Sequence, residues 1–408
     1  MPPQSGGMEI SMKKLKILIS LLLIFVLTGC GKTEIKTNDT ENEKEKLVIW
    51  SYYETEAQQE GLDWLTDDFN NSQNKYEISW EYVPMTDFTK KLAMAYTEEA
   101  LPDIALLDNP NMMACIQMGM CEDITDFIQE IKAEQNYYSA TMETVTYEGR
   151  NYGLPAVCNN LALIYNKKML SEAGINPPQT WEELKEAAGL LTTDTTKGFL
   201  ISAKEGDQGA FQLLPWILET GESEDTIGSE GTEKAFSYLN DLMENGYMTQ
   251  NCVNLSQTDV AQAFIKGEAA MMENGPWVLS MLDEGGVDYG ISKLPGDVKN
   301  CTIVGGEDFT IMKGKNVKGA EAFLKYYDQN EVMKRFSEKT GVLPTKVSMK
   351  LSDERMIIFR QQMDDAVVRS SIPHWSTLSD ALPEAFYQMV SGQKTPSEAA
   401  EGLKGGQS

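Results

Sequence analysis

A single histidine, His374, in a chain of 408 residues leaves almost no material for a Ser-His-Asp triad, a multi-histidine zinc site or histidine acid–base work. Any catalysis would have to come from the 62 carboxylates. Of the six cysteines, the five that follow Cys30 are dispersed at Cys115, Cys121, Cys158, Cys252 and Cys301. An odd set with no CxxC spacing supports neither a disulfide framework nor a metal site. These cysteines read as small buried hydrophobes, with a Cys115–Cys121 bridge as the one pairing left open. The other side chains able to do chemistry are aromatic, 7 Trp, 16 Tyr and 13 Phe, and several sit just past apolar runs.

With 35 basic residues the formal charge is -27, and an acidic field repels a polyanion. Nucleic acid is therefore excluded as a partner, and neutral or cationic ligands fit better. The length suggests two or three domains, and an apolar content of 41% is ample for real cores.

Residues 12–30 carry an address. Lys13, Lys14 and Lys16 precede the apolar run Ile17–Leu27, which is too short to span a membrane and reads as a secretory signal. Its ending, Leu27-Thr28-Gly29-Cys30, resembles the bacterial lipobox, which implies lipidation of Cys30 as the mature N-terminus. Residues 1–11 do not look like an n-region, so translation is expected to begin at Met12. Removing residues 1–29 leaves 32 basic and 61 acidic groups, near -29. Residues 31–46 are polar without an apolar period and read as a flexible tether.

The elements that must position any site begin at Leu47. Leu47–Trp50 is a short strand, and Leu62, Leu65 and Phe69 then mark one face of a helix over 56–70. Tyr76–Val83 alternates as a strand, Phe88–Glu99 is helical, Asp103–Leu107 is a third strand, and a helix follows over Met112–Met120. This βαβαβα order predicts a parallel sheet with helices on both faces. A second region starts after Pro155. Leu161–Asn166 is apolar, and Thr180 with Glu183 forms a capping-box pattern before a helix carrying Trp181, Leu184, Ala188 and Leu191. Helices are predicted over 232–245, 257–266 and 320–327. A strand is predicted over 269–272, Asn274-Gly-Pro-Trp277 is a turn, and the segments 289–294 and 302–312 follow.

The segments KLVIW near residue 47, LPDIALL (101–107), EGRNYGLP (148–155), LALIYNKKML (161–170), NPPQTWEEL (176–184), AFIKGEAAMMENGPW (263–277), YGISKLPG (289–296), VGGEDFTI (304–311) and GVLPT (341–345) run in one order. In that order they resemble extracellular solute-binding proteins of ABC importers, family 1, the maltose/oligosaccharide-binding type. The resemblance covers nearly the whole mature chain. It implies an α/β, two-lobe periplasmic-binding-protein-like fold (type II), each lobe a sheet flanked by helices, with a hinge between. Lobe one would hold 47–155 and 305–343, and lobe two 156–304 and 344–408. A ligand would sit between the lobes and close them, in the crevice beyond the strand carboxyl ends. The implied function is a non-enzymatic, cofactor-free and metal-free lipoprotein on the extracytoplasmic face of the cell membrane. It would be a monomer, held by Cys30, that captures a mono- or oligosaccharide and delivers it to ABC permease subunits.

A sugar offers hydroxyls and flat C–H faces, so its site wants carboxylates and amides beside aromatic rings. By the resemblance, Trp277 is an aromatic platform, its alternative being a core tryptophan. Trp375 is a second aromatic, with packing as its alternative, and His374 beside it reads as exposed or structural. Glu54 would accept hydroxyls and Tyr52 or Tyr53 would stack, against a solvated loop. Asp108 is either a hydroxyl acceptor or a helix cap. Asn159 and Asn160 fall where the first hinge enters lobe two, and Phe211 is a stacking position or core. Gly305, Gly306, Glu307 and Asp308 lie at the second crossover, where paired glycines allow close backbone approach and the carboxylates would face the cleft; the alternative is a hinge turn. Tyr165 is read as structural. Two other classes stay open: a surface-anchored glycoside hydrolase using two carboxylates, and a binder of a polyamine, peptide or iron chelate. The single histidine weakens the iron reading.

Overall fold

The computed structural model describes residues 44–363, 366–369, 372 and 375–404. The signal run, Cys30, most of the tether and His374 lie outside the described residues. The strands are β1 (Glu45–Ser51), β2 (Tyr76–Tyr82), β3 (Ile104–Asp108), β4 (Thr146–Tyr147), β5 (Arg150–Asn151), β6 (Leu154–Asn159), β7 (Ala162–Asn166), β8 (Lys197–Leu200), β9 (Ala269–Asn274), β10 (Tyr289–Ser292), β11 (Thr302–Ile311), β12 (Leu343–Pro344) and β13 (Ala366–Val368). They form a seven-stranded sheet ordered β12-β6-β11-β3-β1-β2 with β13 beside β11, a four-stranded sheet ordered β10-β7-β9-β8, and the small β4-β5 hairpin.

The expected parallel sheet holds for β2, β1 and β3, which pair in parallel with β1 in the middle. It fails beyond them, because β11 enters antiparallel to both β3 and β6. A strand arriving from far along the chain leaves no mark in a local βαβ pattern. With β1 central, the connections after β1 and β3 leave in opposite directions. The crevice at their carboxyl ends is the topological switch point, where open α/β sheets take their ligands.

Two cores result. One gathers Leu47, Ile49, Ile104–Leu107, Phe309 and Ile311 with Phe323 and Phe336. The other gathers Leu161–Ile164, Phe199, Trp216, Met271 and Met272 with Trp375 and Phe386. Strand β11 serves both, with Ile303 in the second core and Phe309 in the first. The fold is thus two-lobed α/β, with strands running between the lobes.

Local chemistry explains where the elements start. Helix Glu56–Ser72 begins at a full capping box made by Thr55 and Gln58, and buries Leu62, Leu65 and Phe69 as the spacing predicts. At helix Trp181–Leu191 only half of the expected box forms. The Thr180 hydroxyl accepts from the Glu183 N–H, but the Glu183 carboxylate accepts from Gln179 N at 2.7 Å. The helix expected from Met112 starts earlier, at Asn109, directly off the end of β3. Cys115 and Cys121 are free, so that pairing is corrected, and all five described cysteines are buried small side chains.

Candidate functional site

Between the two cores lies a cleft lined by Tyr52, Glu54, Thr55 and Gln58 after β1, Asp108 at the end of β3, Asn159 at the end of β6, and Gly306 and Glu307 in β11. The second core adds Asp207, Gln208, Phe211, Gln257, Thr258, Trp277 and Arg369. Helices Glu56–Ser72, Asp207–Glu219 and Gln257–Ile265 all point their N-termini at it.

The cleft's aromatic wall depends on the Asn274-Gly-Pro-Trp277 turn. Asn274 donates to Gln257 O at 2.9 Å and accepts from Gly275 N, while Pro276 opens the short helical turn that carries Trp277. A Cβ on Gly275 would lie 1.8 Å from the indole, so only glycine lets the ring fold back over the backbone. Trp277 is half-buried, packs against residues of both cores, and stands 6.3 Å from Phe211 at a 39° tilt.

Strand β11 passes the cleft as Gly305-Gly306-Glu307. A Cβ on Gly306 would sit 2.2 Å from Val157 O, at a φ of +135°, and one on Gly305 would sit 2.2 Å from Asn159 Oδ1. The paired glycines thus do permit the close approach of β11 to β6. Glu307 lies directly across from Asp108. It accepts from Tyr52 Oη at 2.7 Å and Tyr53 Oη at 3.3 Å. Burial, and then the charge of Asp108, push its carboxyl up to about 8, against the pull of the two tyrosines. Asp207 is raised to about 6 by burial and Asp108. Asp108 itself makes no side-chain cap to the following helix and instead accepts from Arg369 Nη2 at 2.7 Å and Nη1 at 3.3 Å. Glu54 is exposed at the rim.

Residues 64–357 match the bacterial extracellular solute-binding protein family. The chain belongs to that family. It is 25% identical over 327 residues to the maltotriose-binding protein of Pyrococcus abyssi, covering 76% of this chain and 68% of that one. With the sn-glycerol-3-phosphate-binding periplasmic protein of Rhizobium meliloti the identity is 23%, over 86% and 90% of the two chains. In fold it is similar to an ABC transporter solute-binding protein from Thermotoga lettingae bound with α-D-tagatose, with a TM-score of 0.81 and 22% identity, over 90% of this chain and all of that one.

In this solute-binding protein the cleft brings together Trp277, Glu54, Tyr52, Asp108, Asn159, Phe211, Gly306 and Glu307. Two expected residues are placed elsewhere. Asp308 is fully buried on the opposite side of β11 from Glu307, because neighbouring strand residues alternate faces. There it accepts from Asn109 Nδ2 at 2.8 Å and Thr144 Oγ1 at 3.0 Å, and burial raises its carboxyl to about 8. Trp375 opens helix Trp375–Val390 and packs in the second core behind Arg369, its alternative reading. Tyr53 is buried against Phe336 and reaches Glu307 only through its hydroxyl. Asn160 is also structural, donating to Phe359 O at 2.7 Å.

Sequence reasoning missed Asp207, Gln208, Gln257, Thr258 and, most consequentially, Arg369. The first four could have been found as first-turn residues of helices whose N-termini reach the cleft. Arg369 lies in an aperiodic stretch and carries no local signal.

Proposed function

We propose that this chain is the extracytoplasmic receptor of an ABC importer, a non-enzymatic monomer that captures a neutral saccharide in the cleft and hands it to permease subunits. The observation that carries this reading is that the half-buried Trp277 ring, backed by Phe211, lines the same cleft as Glu307, Asp207 and Gln208. Rings meet sugar C–H faces while carboxyls and amides meet hydroxyls. Relatives that bind maltotriose and tagatose support the ligand class. A phosphate ester fits poorly, because Arg369, the one lysine or arginine among the described lining residues, is already bound to Asp108. Glu307 is held by two tyrosines and Asp108 by arginine, so both carboxyls help to shape the cleft. The assignment of 47–155 with 305–343 to lobe one, and of 156–304 with 344–408 to lobe two, belongs to this proposal.

A thermal-shift screen over mono- and oligosaccharides, maltotriose and tagatose included, with glycerol phosphate, a polyamine and a peptide as controls, tests it. A saccharide is expected to raise the melting temperature, to contract the particle in small-angle scattering and to be recovered unchanged. Stabilisation by a control alone, or release of a cleaved product, would overturn the reading.

Lipidation at Cys30 is proposed from the Leu-Thr-Gly-Cys ending. Cys30→Ser is expected to move the protein from the membrane fraction to the soluble one and to abolish incorporation of labelled fatty acid. Retention in the membrane would count against the anchor.

A further inference from the structure

Arg369 follows β13, and its side chain is 4% exposed. Its two terminal nitrogens grip both oxygens of Asp108, itself 6% exposed, in an end-on fork. Among the described residues this is the one ion pair with both side chains less than a tenth exposed. The guanidinium lies 4.5 Å from the Phe211 ring centroid and 5.7 Å from that of Trp375. Asp108 ends β3, whose other residues build the first core, whereas Phe211 and Trp375 belong to the second. The pair therefore joins the two lobes at the cleft, and both partners line it.

We infer that Arg369 is a positioning residue whose pairing with Asp108 latches the lobes together across the cleft, so that the closed arrangement is populated before ligand arrives. Desolvating two charges works against burying them. The bidentate fork and the two aromatic faces under the guanidinium oppose that cost, and the fork, which alone crosses from one lobe to the other, is present only while the lobes are together. When the lobes part, each charge returns to water. The pair is thus a two-state element whose equilibrium the lobes share. A ligand that touches Trp277 on one lobe and Glu307 on the other favours the same closed arrangement as the pair does, so occupancy and latching favour each other. A protein whose competent state is already populated binds with less of its affinity lost to rearrangement.

The inference rests on the cleft being a closing binding site, but its first test needs no ligand. Spin labels on Met94→Cys and Leu190→Cys, both exposed and one in each lobe, report the interlobe distance in the full chain. Single loss of either charge would strand its partner, so the test variant is the doubly neutral Asp108→Asn/Arg369→Gln. Without ligand, the short-distance population is expected in the parent and lost in the double variant. Arg369→Lys, which keeps the charge but not the fork, is expected to restore part of it. With the saccharide found by screening, the double variant is expected to bind about tenfold or more weakly, chiefly through faster dissociation. An unmoved distance distribution overturns the latch, including when the melting temperature falls, since that pattern marks a merely structural pair. If no saccharide binds the parent, the carbohydrate reading fails while the ligand-free distances still decide the latch.

Discussion

Replacing Glu273 by glutamine is expected to leave the protein more stable at pH 8 and to flatten the decline in stability that the parent shows as pH rises from 5. Glu273 sits in β9, fully buried. One carboxyl oxygen accepts from Trp216 Nε1 at 2.7 Å, and the other has no hydrogen-bond partner. Burial pushes the carboxyl well above its ordinary 4.5, and the Trp216 N–H only partly offsets this. Nearby Glu219 is in the same condition: burial raises it, the Trp181 N–H at 2.9 Å pulls back, and the charge of Glu273 raises it further. Their donors Trp181 and Trp216 stack on Tyr238, and both carboxyls are fully buried, where an unpaired anion is costly.

The sign follows from proton counting. Above pH 4.5 the unfolded carboxyl has released a proton that the folded one keeps, so the stabilisation is complete below that value and is lost as pH rises toward the folded value. While the folded site stays protonated, one carboxyl lowers stability by up to about 1.4 kcal/mol per pH unit. Glutamine keeps the acceptor for Trp216 and cannot ionise. Urea unfolding of both proteins across that range checks this, because the rest of the acidic surface cancels in the difference. Equal pH slopes would mean that Glu273 is already ionised in the fold.

What the sequence made legible followed from how local each signal was. Helix Glu56–Ser72 was readable because its cap and its apolar period lie within its own residues. Helix Asp207–Glu219 was not resolved as an element, because every residue from Gly209 to Glu219 is buried and Pro215 interrupts it, so no polar face marks a period. Glu307 and Asp308 looked equivalent as adjacent carboxylates. Strand alternation, which needs the neighbouring strands to be known, sends one to the cleft and the other into the core. Asp108 lines the cleft, but its partner is 261 residues away, and no spacing argument reaches that far. The resemblance to solute-binding proteins supplied the lobes and the Trp277 position. It could not supply Arg369.

Trp277→Ala is expected to weaken saccharide binding by about 1–3 kcal/mol, roughly fivefold to 150-fold in Kd, while the protein still folds. The ring is half-buried before ligand arrives, so part of its apolar face is still available for a sugar to cover. Its pose is set by Gly275, Pro276 and the Phe211 ring, not by a ligand, which means that the platform is prepaid in folding and little ordering cost falls on binding. Trp277→Phe keeps a flat face of smaller area and is expected to recover part of the loss. Calorimetry on the three proteins, with melting curves alongside, separates the two roles that the tryptophan could play. A platform shows a large rise in Kd with a small fall in melting temperature. A core tryptophan shows the reverse, and an unchanged Kd in Trp277→Ala would remove the aromatic wall from the binding mechanism.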